Sequence, residues 1–395
     1  MRKNYTRRQL LAMGAGAAIG LSGILSKTSD AWVGDLMPTN LDTPPVELIV
    51  VPPMPETISF KIAQMLMVGF YGTVLTEATP IWDAIRNYRI GGVLLFDNPD
   101  PSIGNIESPE QLKTLTTSLQ ELTPIPLLIA TDQEGGSVAR LKPRNGFPSM
   151  PSQQYLGNLN DPTATRRYAN STAFVLKDHG INLNLAPVVD LNTNPSNPVI
   201  GSLGRSFSAD PSIVTSQSAS VLSAHADQGV YCALKHFPGH GSSRADSHAG
   251  FVDVTNTWSR TELEPYKQLI ASGQCNIIMT AHIFNANLDP NLPATLSYPT
   301  ITGLLREELG YDGVIMTDDM QMGAITSYYS FDKAIELTIK AGVDIITIGS
   351  NLLYGPTTVK RAIGIITGLL ERGEITYDRI DASYRRIKRL KSTLY

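Results

Sequence analysis

The sequence predicts an α/β protein of the (β/α)8, TIM-like barrel class. Eight short apolar runs rich in β-branched residues recur along the chain, and longer amphipathic stretches separate them. Polar and ionisable residues gather where several of those runs end. Continuous apolar strands with helices between them are the pattern of a parallel sheet covered on both faces, and eight of them favour a closed barrel over an open doubly wound sheet.

The first 31 residues stand outside that pattern. MRKNYTRRQLLAMGAGAAIGLSGILS has a basic start and then an apolar stretch from Leu10 to Leu25 rich in Gly and Ala. That is the layout of an export signal, and Arg7-Arg8 followed by Gln9-Leu10-Leu11 gives it a twin-arginine character. An uncleaved membrane anchor is the alternative, although the segment is short and weakly apolar for a span. Ser29-Asp30-Ala31 offers a small-residue cleavage site, no cysteine follows for a lipid anchor, and export out of the cytoplasm is expected. Residues 32–55 are proline-rich without sustained periodicity and read as a linker. The barrel domain is expected over 56–395.

Within it the expected strands are QMLMVGF (64–70), GGVLLF (91–96), PLLIAT (126–131), INLNLAP (181–187), VYCALKHF (230–237), NIIMTAH (276–282), DGVIMTDD (312–319) and DIITIG (344–349). Helical stretches such as TATRRYANSTAFVLKDHG, IVTSQSASVLSAHADQG and SFDKAIELTIKAG each finish on a glycine, the residue that accepts the left-handed geometry of a helix end. No GxGxxG or GxxxxGK[ST] follows a strand, which argues against nucleotide binding. The net charge of −4 with scattered basic residues gives no footprint for nucleic acid. Cys232 and Cys275 each sit in an apolar run and read as buried free thiols rather than a disulfide.

Barrels carry their chemistry at the C-terminal ends of the strands. Asp132-Gln133-Glu134 follows the third run, Lys235-His236 ends the fifth, His282 ends the sixth, and Asp318-Asp319 ends the seventh. The loop after the fifth run, KHFPGHGSSRADSH, carries three of the six histidines. His236, His240, Asp246 and His248 could ligate a metal such as zinc, but Pro238 and Gly239 break any helix that would set two imidazoles one turn apart. A solvated connection is the bland alternative. The favoured reading is acid/base chemistry: Asp246 and His248 are two apart, so on an extended stretch they point the same way and touch. A carboxylate bonded to one ring nitrogen fixes the tautomer and leaves the other to pass a proton. Ser247 faces away, and no GxSxG elbow supports a serine hydrolase. In VIMTDD the alternation sends one aspartate into the mouth and the other into structural contacts, without deciding which.

KHFPGHG followed by DSH, with TDDM and DQEGG, closely resembles glycoside hydrolase family 3, in particular its β-N-acetylglucosaminidase branch. The resemblance runs from about Ile58 to the C-terminus through IAQMLMVGF, LAPVVDLNTNPSNPVIG, RSF and ITYDRIDASYRRIKRLK. It implies a single catalytic barrel and a retaining double displacement. It further implies Asp318 as nucleophile, His248 as general acid/base and Asp246 as its partner. Asp132, Arg140, Arg205, Lys235 and His236 would bind the N-acetylglucosamine ring, and His282 is assigned only as a pocket residue. The bridge before Arg205, VIGSLGRSF, is slightly longer than the shortest versions in the family. Gly239, Gly241, Ser242 and Ser243 would let the loop hinge over the sugar, supplying the acid in cis. No metal or organic cofactor is implied. The expected activity is exo-hydrolysis of terminal β-linked N-acetylglucosamine from peptidoglycan fragments or chitin-type oligosaccharides. A phosphorylase on the same fold and a non-catalytic glycan-binding protein are the alternatives.

Overall fold

The computed structural model describes residues 56–394, apart from 99, 101, 351–354 and 356. The expected export signal and linker lie outside those residues. Eight strands appear where the apolar runs predict them: β1 (Leu66–Gly69), β2 (Gly92–Leu95), β3 (Leu128–Thr131), β4 (Leu183–Asn184), β5 (Tyr231–Phe237), β6 (Ile277–Thr280), β7 (Val314–Met316) and β8 (Ile346–Ile348). All neighbours pair in parallel, in the order β8-β1-β2-β3-β4-β5-β6-β7. A parallel bridge between Met316 and Ile345 joins the two ends, so the sheet closes on itself and has no free edge.

Alternation along the strands divides the core. Leu234, Ile278 and Ile315 pack outward with the helix residues Val221, Tyr266, Leu269 and Ile301. Their neighbours Ala233, Ile277, Met279, Val314 and Met316 belong to the larger cluster. Each such buried Leu or Ile contributes on the order of 1.5–3 kcal/mol. The helices begin and end where the sequence signals them. Asp161 caps Pro162–Asp178 by accepting the Thr163 and Ala164 N–H groups, and Gly180 turns the chain out at φ +71°. Gly342 does the same after Phe331–Ala341, at φ +112°. Cys232 lies buried on β5, whereas Cys275 is only partly buried and precedes β6 rather than lying on it; both are free.

β5 is the longest strand and the least regular. Its register with β6 shifts between Leu234 and Phe237, the Lys235–His236 and Phe237–Pro238 peptides are cis, and Val188 bridges Lys235 on the other side. Consecutive residues of a regular strand face opposite ways. The shift in register re-aims the chain so that both Lys235 and His236 reach the mouth of the barrel.

Candidate active site

At the end of β3, a short hairpin (Gln133–Gly135 with Val138–Ala139) turns the chain back over the mouth. Asp132 and Arg140 flank it, and Arg140 NH2 donates to Asp132 Oδ2 at 3.0 Å. Lys235 Nζ, from β5, lies 2.7 Å from both Asp132 Oδ1 and Glu134 Oε1. Glu134 in turn holds the Arg205 guanidinium through two parallel bonds of 2.8 Å, and Arg205 NH1 donates to the Val199 carbonyl at 2.8 Å. Arg205 is thus brought into the cluster despite its longer bridge.

The electrostatics follow from burial and pairing. Burial alone raises the pKa of a carboxyl, but the charges of Lys235 and Arg140 hold Asp132 well below the usual carboxylate range. Glu134 is lowered in the same way: burial opposes the shift, and Arg205 and Lys235 outweigh it. Lys235 is nearly fully buried, which disfavours its charge, yet the two carboxylates facing it keep its pKa above the ordinary value.

His236 points the other way round the rim. Its Nδ1 meets Asp190 Oδ2 at 2.7 Å, so the ring donates there and Nε2 faces Arg205 NH2 at 3.3 Å. Asp190 also accepts the N–H groups of His236 (3.1 Å) and His240 (2.8 Å). Glu134 and Asp190 were both missed as site residues by sequence reasoning. Their signal was position: each lies just past a barrel strand, Glu134 inside DQEGG and Asp190 inside APVVDLN.

The three histidines of the loop bond different side chains: His236 bonds Asp190, His240 bonds Ser243 and Ser247, and His248 bonds Asp246. His240 is buried with Nδ1 2.9 Å from Ser243 Oγ and Nε2 3.2 Å from Ser247 Oγ, and burial pushes its pKa down to about 4. No group of three or more His, Cys, Asp or Glu side chains able to hold a metal ion occurs among the described residues. Ser247 does face away from the dyad, into His240.

Asp246 and His248 touch, but not as the extended alternation predicts. The chain turns at Ser247, and Asp246 Oδ1 accepts both the His248 main-chain N–H and its ring Nδ1, each at 2.8 Å. An aspartate that bonds the backbone two residues on makes a turn of its own, which is why the contact forms without a strand. The glycines correct another expectation. A Cβ on Gly241 would lie 1.7 Å from the Leu191 carbonyl oxygen, and one on Gly239 would lie 2.6 Å from Glu262 Oε2. These glycines permit close packing rather than hinging: 237–243 is buried, and beyond it Arg244, Ala245, His248 and Ala249 are exposed while Ser247 is buried again.

That tip docks on the chain that follows β7. Gly323 N–H donates to the His248 carbonyl (3.1 Å) and Ala324 N–H to the Ser247 carbonyl (3.0 Å). Five residues before Gly323 stands Asp318, partly exposed at the mouth and accepting the Asp319 N–H at 2.8 Å. Burial raises the Asp318 carboxyl, but His282, His236 and His248 together hold it below its ordinary value, so it is a carboxylate at neutral pH. Asp319 is the structural member of the pair: it accepts from Gly349 N (2.7 Å) and Gln321 N (3.0 Å), and burial pushes its pKa up to about 6. His282 is buried beneath both, with Nε2 3.0 Å from the Asp319 carbonyl oxygen and Nδ1 2.8 Å from Thr295 Oγ1. Both of its ring nitrogens face protein, which makes it a support of the aspartate turn.

Fold and mouth together define a (β/α)8 barrel whose strand ends converge on a cleft lined by carboxylates, a lysine, arginines and histidines. The chain belongs to glycosyl hydrolase family 3: the N-terminal domain of that family matches it over residues 57–390. It is 34% identical to "Beta-hexosaminidase A" of Pseudoalteromonas piscicida over 86% of this chain and 62% of that protein. Its identity to the "Beta-hexosaminidase" of Xylella fastidiosa is 32%, over 81% of this chain and 95% of the relative. Among solved structures, it is similar to a glycoside hydrolase family 3 β-N-acetylglucosaminidase from Paenibacillus, with a TM-score of 0.78 and 35% identity over 86% of this chain and 62% of that one. The chain therefore spans under two thirds of two of these proteins and nearly all of the third.

Proposed function

We propose that this protein is an exported, retaining exo-β-N-acetylglucosaminidase that removes terminal β-linked N-acetylglucosamine from peptidoglycan fragments or chitin-type oligosaccharides. The observation that carries the reading is the docking of the Asp246–His248 turn onto the segment that follows Asp318, which unites a proton carrier and a carboxylate from different strands at one mouth. The names of the relatives point to the same chemistry.

In the first step, an Asp318 carboxylate oxygen attacks the anomeric carbon while His248 Nε2–H gives its proton to the departing glycosidic oxygen. A glycosyl ester and a free alcohol result. In the second step the now neutral Nε2 takes a proton from water, whose oxygen attacks the same carbon and releases the Asp318 carboxylate. Asp246 holds Nδ1–H throughout, so Nε2 alone does the proton transfer. Asp132, Arg140, Lys235, Arg205 and His236 bind the sugar hydroxyls and the acetamido group. Asp132 suits that task because it is an ionised acceptor fixed by two cations. His282 acts behind the site, through the Asp319 carbonyl.

The usual scheme places two carboxyl groups about 5–5.5 Å apart. Replacing one with imidazole removes a negative charge from the side on which the second nucleophile arrives, so an anion is not repelled. Phosphorolysis is therefore the second reading, and one assay separates it. Chitobiose digested in phosphate buffer should give N-acetylglucosamine, initially as the β-anomer by NMR. N-acetylglucosamine 1-phosphate as main product would establish the phosphorylase, and binding without turnover would leave only a glycan-binding protein. Export is supported by the N-terminal signal pattern, and no helix of the described residues is long and apolar enough to cross a membrane.

A further inference from the structure

Three aromatic side chains stand together beside the acid/base turn, and the chemistry above uses none of them. Phe251 follows His248 by three residues, Phe284 follows His282 by two, and Tyr328 lies just past the short helix Gly323–Thr326 on which the His248 turn docks. The Phe251 ring is 5.3 Å from that of Phe284, with 38° between their planes, and 5.6 Å from that of Tyr328, with 59° between them. They come from the loops after β5, β6 and β7, all on the catalytic face of the barrel. Main-chain bonds clamp those loops together: Phe284 N–H donates to the Val252 carbonyl (2.8 Å), Val254 N–H to the Phe284 carbonyl (2.9 Å), and Gly323 N–H to the His248 carbonyl (3.1 Å).

Packing alone would bury such rings. Instead Phe251 is 45% exposed and Tyr328 59% exposed. Clustered exposed aromatics leave apolar surface in water unless a ligand covers it. Their position fixes which ligand. His248 must reach the glycosidic oxygen, so whatever is bonded to that oxygen on the leaving side lies beside the residues flanking His248. The polar cluster of Asp132, Arg140 and Lys235 is built at the end of β3 and on β5 itself, whereas the rings stand on the loops that follow β5, β6 and β7.

We propose that Phe251, Tyr328 and Phe284 form the subsite for the leaving group, and that its occupant is a pyranose ring whose C–H face packs on the aromatic wall. This rests on the glycosidase reading. It deepens that reading by naming the residues that bind the leaving sugar, through its apolar face rather than by ion pairs. Tyr328 supplies the most accessible ring, and Phe284 backs Phe251 and holds its tilt.

The test compares two substrates that share the sugar to be removed. Chitobiose carries a leaving sugar, whereas N-acetyl-β-glucosaminyl fluoride carries a leaving group with no ring. Tyr328→Ala and Phe251→Ala should each lower kcat/KM for chitobiose about 10-fold or more and change the fluoride less than 2-fold. Tyr328→Phe should restore chitobiose activity. Unchanged chitobiose turnover in both alanine variants would overturn the subsite, and so would equal losses on the two substrates, which would mark a structural role. Failure of the parent reading looks different, because the unaltered protein would then turn over neither substrate.

Discussion

Asp246 Oδ1 accepts two hydrogen bonds from a single residue, the main-chain N–H and the ring Nδ1–H of His248, each 2.8 Å long. The pair is therefore preorganised by a three-residue turn and needs no distant element to align it. Both side chains remain substantially exposed, at 39% for Asp246 and 58% for His248, so the arrangement contributes orientation rather than stability.

Removing the carboxylate should separate the two halves of the reaction. Asp246→Ala is expected to reduce kcat/KM by roughly 10²-fold for an oligosaccharide, the low end of what a positioned proton donor contributes. An aryl glycoside with an activated leaving group needs no proton in its first step and should lose less than about 10-fold. Steady-state kinetics on the two substrates checks this, and equal losses would count against His248 as the acid.

Glu134 is the hinge of the buried charge cluster, since it neutralises both Arg205 and Lys235. Glu134→Gln leaves the buried Arg205 with no carboxylate partner and Lys235 with Asp132 alone. Breaking a buried pair from one side costs about 3–5 kcal/mol. Urea denaturation should show a loss of that order, together with a raised KM; a change under 1 kcal/mol would mean that the cluster is far better solvated than its burial implies.

Beneath the loop, Glu262 accepts the Gly241 N–H at 3.2 Å, and its Oε1 has no hydrogen-bond partner. Burial, with help from the charge of Asp190 and against the Gly241 hydrogen bond, pushes its pKa from 4.5 up to about 8. Between those values the folded protein keeps a proton that the unfolded chain releases, so rising pH favours unfolding. The stability this group contributes is fully present below about 4.5 and is lost as pH rises through about 8. Glu262→Gln does not titrate. Its melting temperature relative to the unaltered protein should climb from pH 5 to about pH 8 and level off above that, and a difference independent of pH would contradict the assignment.

The barrel was legible because the strands fall on apolar runs and several long helices, Pro162–Asp178 and Phe331–Ala341 among them, end at a glycine, both of which are local signals. The sites of Asp318, Lys235 and His236 were legible as strand ends. Glu134 was not, because its importance lies in Arg205, 71 residues away, and no local pattern announces an ion pair across a barrel. The hairpin after β3 was invisible for a different reason: strands of three and two residues have no periodicity to read. The loop glycines were misread because Gly239 and Gly241 look the same in sequence whether they confer motion or close approach. Only the Leu191 carbonyl and the Glu262 carboxylate, brought up from elsewhere, distinguish the two.

Asp318, and not its neighbour Asp319, should become covalently bonded to the sugar. A 5-fluoro N-acetylglucosaminyl fluoride, whose second step is slow, should let the glycosyl-enzyme accumulate, and peptide mapping by mass spectrometry then locates it. One sugar per chain is expected, on Asp318, and none in Asp318→Asn. A sugar on Asp319, or turnover that yields the inverted anomer with no adduct at all, would contradict it.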